Sequence, residues 1–178
     1  MEAEEKLNPA RRLFIGIFVL AMAATGFAAG RILLRPNNTV RQPIQFNHRK
    51  HVEEAELECV GCHQYYPTGQ HSGLPAFSDC LICHDPPITD SPEEKKLLDL
   101  AKGNSGAGFR KLFRLPNHVY YSHREHVTIA GLECKICHGE IAATTVPPPT
   151  PLVRITMDTC VNCHAKRGVN NDCTRCHR

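Results

Sequence analysis

The stretch HREHVTIAGLECKICH, His123 to His138, sets two histidines three residues apart ahead of a Cys-x-x-Cys-His unit. HRKHVEEAELECVGCH, His48 to His63, has the same layout with every key residue 75 positions earlier. A spacing kept in two copies marks a duplicated chemical site, and the rest of the chain is read outward from it.

The cysteines identify the chemistry. All ten fall into five Cys-x-x-Cys-His units: Cys59, Cys62 and His63; Cys80, Cys83 and His84; Cys134, Cys137 and His138; Cys160, Cys163 and His164; Cys173, Cys176 and His177. Two thiols at this spacing can add to the two vinyl groups of a porphyrin while the next side chain supplies an axial imidazole, so the unit reads as c-type haem attachment. Zinc knuckles, redox Cys-x-x-Cys motifs and disulfides use similar spacing, but none calls for histidine directly after the second cysteine in every unit. The sequence therefore predicts five covalently bound c-type haems, with His63, His84, His138, His164 and His177 as proximal ligands to haem iron.

Residues 46–178 would carry all five, roughly one haem per 27 residues, which leaves too little chain for an ordinary apolar core. The absence of Trp and the 6% aromatic content agree, because porphyrins would supply the large flat apolar surfaces. The expected fold is mostly irregular with short α-helices, packed around five haems, plus one N-terminal transmembrane helix.

Haem iron takes two axial ligands, so five haems want up to five distal groups. Six histidines remain: His48, His51, His71, His118, His123 and His126. On one helical turn, residues three apart project to the same side and diverge. Each pair, His48 with His51 and His123 with His126, can thus serve the haem just downstream and the next one, holding neighbouring haems close. The distal ligand of the last haem stays open among Met157, in ITMDTC, His118, in LPNHVYYSH, and His71, in TGQHSG; Met157 and His118 rank ahead of His71.

Residues 13–34 begin with eighteen uncharged residues, LFIGIFVLAMAATGFAAG, flanked by Arg11, Arg12 and Arg31. This is long enough to span a bilayer. A cleaved signal peptide shares these features; an uncleaved anchor is the reading taken. Flanking charge is balanced and does not orient the span. Cytochromes of this type are loaded outside the cytoplasmic membrane, which puts the N-terminus in the cytoplasm and the haem domain in the periplasm. The expected organisation is a cytoplasmic N-terminus (1–12), a transmembrane helix (13–34), a dihaem repeat (43–90), a linker with a short helix (91–116) and a trihaem repeat (117–178). Ser91-Pro92-Glu93-Glu94 reads as a capping box opening the linker helix, with Gly103 as its stop and GNSGAG beyond. Val146–Pro151 reads as extended polyproline.

Phe46-x-His48-x-x-His51 followed by Cys-x-x-Cys-His units resembles the small class III multihaem cytochromes. The whole layout, one N-terminal helix and then two plus three haem units with LPNHVYYSHREHV and a Met before the fourth, is similar to the pentahaem membrane-anchored cytochrome c subunit of alternative complex III. That resemblance implies an electron-transfer subunit and not a catalyst. It would relay electrons from a membrane quinol-oxidising complex to a periplasmic acceptor such as a monohaem cytochrome c or a cupredoxin. The implied partners are an iron-sulfur, molybdoenzyme-like large subunit, polytopic quinol-binding membrane subunits, a monohaem cytochrome c subunit and membrane lipid. The alternative is a NapC/NirT-like membrane-anchored quinol dehydrogenase feeding a periplasmic reductase. A multihaem enzyme would need an open axial position, and no Cys-x-x-Cys-Lys variant is present. The formal charge of +3 omits the haem propionates, and no clustered basic patch with interleaved aromatics suggests nucleic acid.

Overall fold

The computed structural model describes residues 8–33, 39–103 and 108–177. The expected N-terminal segment therefore lies outside the described residues up to position 7, as do Leu34 and residues 104–107 of the GNSGAG loop. The chain divides into two units, residues 1–38 and 39–178.

The first unit contains α1, Pro9–Leu33. The Asn8 side-chain oxygen accepts from the Ala10 N–H at 3.1 Å, and Pro9 takes the first helical position, where a missing donor costs nothing. At 1.5 Å per residue this helix runs about 37 Å, against a hydrocarbon thickness of about 30 Å. Its large apolar side chains from Leu13 to Phe27 are exposed. The hydroxyl of Thr25 donates to the Ala21 and Met22 carbonyls at 2.9 and 3.0 Å, so it is satisfied inside the helix. By length and composition α1 can cross a membrane.

In the second unit the elements are short helices: α2 (Cys59–Cys62), α3 (Phe77–His84), α4 (Pro92–Lys102), α5 (Lys135–His138), α6 (Met157–Lys166) and α7 (Cys173–Cys176). Among the described residues there is no strand, only an isolated antiparallel bridge between Val119 and His177. The Cys-x-x-Cys-His motifs build their own helical turns, because the histidine N–H returns to the carbonyl of the first cysteine at 2.9 Å for His63, His138 and His177. Buried apolar side chains are few among the described residues: Ile44, Phe77 and Leu97, with Leu100, Ala101 and Phe109 against them.

The duplication seen in sequence is also a duplication of backbone. Each histidine pair begins a wide turn, a π-helix over Lys50–Glu54 and another over Arg124–Ile129, where one turn of α-helix was expected. The turns close with matching bonds, Ala55 N–H to Lys50 and Ala130 N–H to Glu125 at 3.0 Å, then Leu57 N–H to His51 at 2.9 Å and Leu132 N–H to His126 at 3.0 Å. Such an end needs a left-handed residue, supplied by Gly131 (φ 64°) in one copy and by Glu56 (φ 52°) in the other.

The two copies also hold each other. Arg49 N–H donates to the Thr144 carbonyl, and Arg124 N–H donates to the Gly69 carbonyl, both at 3.1 Å. Positions 49 and 124, like 69 and 144, differ by the 75-residue repeat, so each copy gives the other the same bond. This is the self-complementary contact of a two-fold interface, here within one chain.

Two local expectations are corrected. Ser91 caps α4 by accepting from Glu93 N–H at 3.3 Å, and Gly103 N–H ends it on Asp99. The returning arm of the capping box, however, is not made. The Glu94 carboxylate is drawn to an imidazole and three donors around Ile88 and Thr89, and Ser91 N–H turns to the Thr89 hydroxyl at 3.2 Å. The 146–151 segment bends twice and is not one extended run; Val40 N–H fixes it through Pro149 at 2.7 Å.

A Cβ at Gly131 would meet nothing within 4 Å, so substitution there strains only the backbone. Gly131→Ala is expected to lower stability by roughly 1 kcal/mol and Glu56→Gly to raise it by a similar amount. Denaturant midpoints of the haem-loaded protein measure both.

Candidate functional site

Numbered along the sequence, site 1 holds Cys59, Cys62 and His63; site 2 Cys80, Cys83 and His84; site 3 Cys134, Cys137 and His138; site 4 Cys160, Cys163 and His164; site 5 Cys173, Cys176 and His177. All ten thiols are unpaired. Burial is the main cause that pushes the thiols of Cys62, Cys80, Cys134, Cys137 and Cys160 above their ordinary values. A redox Cys-x-x-Cys needs the opposite shift. Among the described residues no three His, Cys, Asp or Glu side chains converge as a zinc site requires.

Imidazoles face one another in pairs. His51 and His84 have ring centres 6.1 Å apart, His123 and His138 6.3 Å, and His126 and His164 6.1 Å. Two metal–nitrogen bonds of about 2 Å on opposite sides of an iron, plus about 1 Å from nitrogen to ring centre on each side, would separate axial imidazole centres by about 6 Å. The donor set thus fits bis-histidine haem. His118 and His177 pair at 5.5 Å, nearly parallel at 22°. The Val119–His177 bridge and the Tyr120 N–H bond to the Cys176 carbonyl at 2.7 Å bring them together. His48 lies near His63. Burial first, then the neighbouring His63 and His51, pulls its pKa down to about 4, so the ring is neutral at pH 7, the form that binds metal. Burial likewise lowers His123 and His138.

In seven of these rings the second nitrogen has a partner. Nδ1 bonds the Asn47 carbonyl from His51 (2.8 Å), Gly73 from His63 (2.9 Å), Gln70 from His123 (2.8 Å), Ser122 from His126 (2.8 Å) and Asn170 from His164 (3.4 Å). His48 meets the Thr144 hydroxyl at 3.2 Å and His84 the Glu94 carboxylate at 2.5 Å. A carbonyl accepts only from N–H, so the Nδ1 tautomer is fixed and Nε2 keeps its lone pair for a metal. An aromatic ring wedges each pair at its diverging point. Phe46 stands edge-on to His48 at 4.8 Å and tilted to His51 at 4.3 Å, and Tyr121 does the same with His123 at 5.0 Å and His126 at 4.5 Å.

Met157 is 65% exposed at the start of α6, and His71 is exposed in its loop, close enough to His123 to disfavour a charge there. Sequence reasoning missed the groups that orient the imidazoles: Gly73, Gln70, Thr144, Asn47, Ser122 and Glu94. Backbone acceptors carry no residue signature. Glu94 did have one, which was spent on the capping box.

Thiols of different sites lie near enough to raise one another's pKa, after burial: Cys62 acts on Cys80, Cys59 on Cys134, Cys163 and Cys160 on Cys137, and Cys176 on Cys160. Each such proximity links two sites, in the order 2, 1, 3, 4, 5.

Residues 119–178 match the family model described as cytochrome c7 and related cytochrome c. The chain is 28% identical over 162 residues to a protein of Nitratidesulfovibrio vulgaris (strain Hildenborough) described as menaquinone reductase, multiheme cytochrome c subunit, with 77% of each chain covered. Over these segments the chain is thus similar to multihaem cytochromes c, and its five Cys-x-x-Cys-His units and facing imidazoles agree with that similarity.

Proposed function

We propose that the chain is a membrane-anchored, five-haem electron relay between a quinone-handling membrane complex and a periplasmic carrier. The pairing of imidazoles carries this reading: at four of the five sites a distal histidine stands opposite the motif histidine at 5.5 to 6.3 Å, a spacing that suits two axial ligands and favours electron transfer over substrate binding at iron. Each bound haem supplies a one-electron carrier. The chain's own residues hold, orient and space those carriers.

The proposed ligand pairs are His63 with His48, His84 with His51, His138 with His123, His164 with His126, and His177 with His118. His118 is preferred to Met157 and His71 because its ring already stacks on His177. The exchanged backbone bonds and the mutual influence of the thiols support a single file of sites in the order 2, 1, 3, 4, 5, with the two equivalent sites 1 and 3 adjacent at the pseudo-two-fold centre. The helix α1 would anchor the relay, with the haem domain periplasmic.

Similarity to a protein described as a menaquinone reductase subunit favours delivery of electrons to a membrane quinone. A second reading rests on the order of one helix and two plus three motifs. In it the chain is the pentahaem subunit of alternative complex III, carrying electrons outward from quinol. Its partners would be an iron-sulfur, molybdoenzyme-like large subunit, polytopic quinol-binding subunits and a monohaem cytochrome c.

His118→Ala is expected to convert one of five low-spin haems to high-spin, while Met157→Leu leaves all five low-spin. Electron paramagnetic resonance reads both, and the reverse result would transfer the last ligand to Met157. Mild detergent extraction followed by mass spectrometry of co-purifying chains tests the setting. Polytopic quinone-binding subunits are expected, and a monohaem cytochrome c among them favours the outward reading. Recovery with a periplasmic reductase alone would instead favour a NapC/NirT-like quinol dehydrogenase. Menaquinone reduction by the reduced complex, or reduction of the haems by menaquinol, gives the direction.

A further inference from the structure

Seven imidazoles have an Nδ1 partner, and six of those partners are neutral oxygens. The seventh is Glu94. Its carboxylate is buried, with the residue 5% exposed, and every contact it makes is to a donor. Oε1 meets His84 Nδ1 at 2.5 Å and accepts from Ile88 N–H at 2.9 Å; Oε2 accepts from Thr89 N–H at 2.8 Å and from the Thr89 hydroxyl. Among the described residues its ion-pair partner is His84, while the neighbouring Glu93 takes Lys96. Four donors from one loop and one helix end therefore hold a carboxylate against one iron-binding imidazole. Such an arrangement is costly for a group that serves only to cap a helix, since Ser91 already does that.

We infer that Glu94 is a positioning residue that makes His84 the most electron-donating axial ligand of the chain, so that site 2, at one end of the file, has the lowest reduction potential. A carboxylate accepting from the far nitrogen of a metal-bound histidine fixes the ring and raises its basicity, more so than a carbonyl does. The added electron density and the buried negative charge both favour ferric over ferrous iron. This breaks the pseudo-symmetry of the file: the site equivalent to site 2 on the other side of the pseudo-two-fold, site 4, offers His164 the Asn170 carbonyl at 3.4 Å. Electrons received at site 2 would run downhill toward the centre.

The inference rests on His84 being an axial ligand, so haem occupancy is measured first. Tryptic mass spectrometry of the full-length, detergent-solubilised protein should find haem on the peptide with Cys80 and Cys83; its absence from the wild type overturns both readings. Potentiometric titration with dithionite and ferricyanide then compares Glu94→Gln with wild type. The lowest of the five potentials is expected to rise by at least tenfold in the oxidised-to-reduced ratio, or 59 mV for one electron, with the other four unchanged. Glu94→Asp keeps the charge but shortens the side chain, and should raise the same potential by less. An orienting role without electronic donation predicts the opposite ranking, because Gln keeps the shape and Asp does not. An unchanged lowest potential in Glu94→Gln, or a larger shift in Glu94→Asp, overturns the inference. If Glu94→Gln fails to load five haems, Glu94→Asp alone decides, and an unchanged or lowered potential counts against it.

Discussion

Two backbone hydrogen bonds, Arg49 to Thr144 and Arg124 to Gly69, organise this protein. Each follows directly on the first histidine of a pair and reaches into the loop beyond the other copy's first haem motif. The exchange accompanies His48 against Thr144 and His123 against Gln70, and Cys59 lies near enough to Cys134 to raise its pKa, after burial. The Thr128 hydroxyl adds a bond to the Pro67 carbonyl at 3.1 Å. In the relay proposed above, this exchange is what would set sites 1 and 3 side by side.

The remaining architecture follows from the small amount of protein available. A core of three buried apolar residues and their immediate neighbours cannot by itself order about 140 residues, given a backbone cost of roughly 1 kcal/mol or more for each. The chain answers with local closure: helical turns made by the haem motifs, wide turns at the histidine pairs, and imidazoles tethered through Nδ1 to nearby carbonyls. Each tether does two jobs, since it satisfies a polar group and leaves Nε2 directed for coordination. Folding and ligand placement are thus the same set of bonds, which suits a domain expected to be stabilised by covalent haem.

The candidate attachment motifs could be read from sequence because the covalent attachment expected of them would impose strict local spacing. The five Cys-x-x-Cys-His units and the 75-residue offset between histidine pairs needed no structure. An N-terminal apolar helix was equally legible, and the structure describes one over Pro9–Leu33. What escaped was whatever depends on contacts between distant segments. The π-turns at His48–His51 and His123–His126 look like ordinary helix in sequence, because their width comes from a closing left-handed residue that is Glu in one copy. The partner of His177 depended on a single bridge at Val119. Glu94 was misread because Ser-x-x-Glu is a good capping signal, and only the fold reveals that His84 and Thr89 compete for the same carboxylate.

The account's central claim is that five haem irons lie in single file, each between two histidines. A high-resolution electron cryomicroscopy structure of the haem-loaded full chain, in detergent or with its co-purifying partners, tests this most directly. The account predicts irons in the order of sites 2, 1, 3, 4 and 5, with His118 and His177 on the last and the haems of sites 1 and 3 in contact. A thioether from Met157 on the last iron, or haems of sites 1 and 3 separated by another haem, would contradict it.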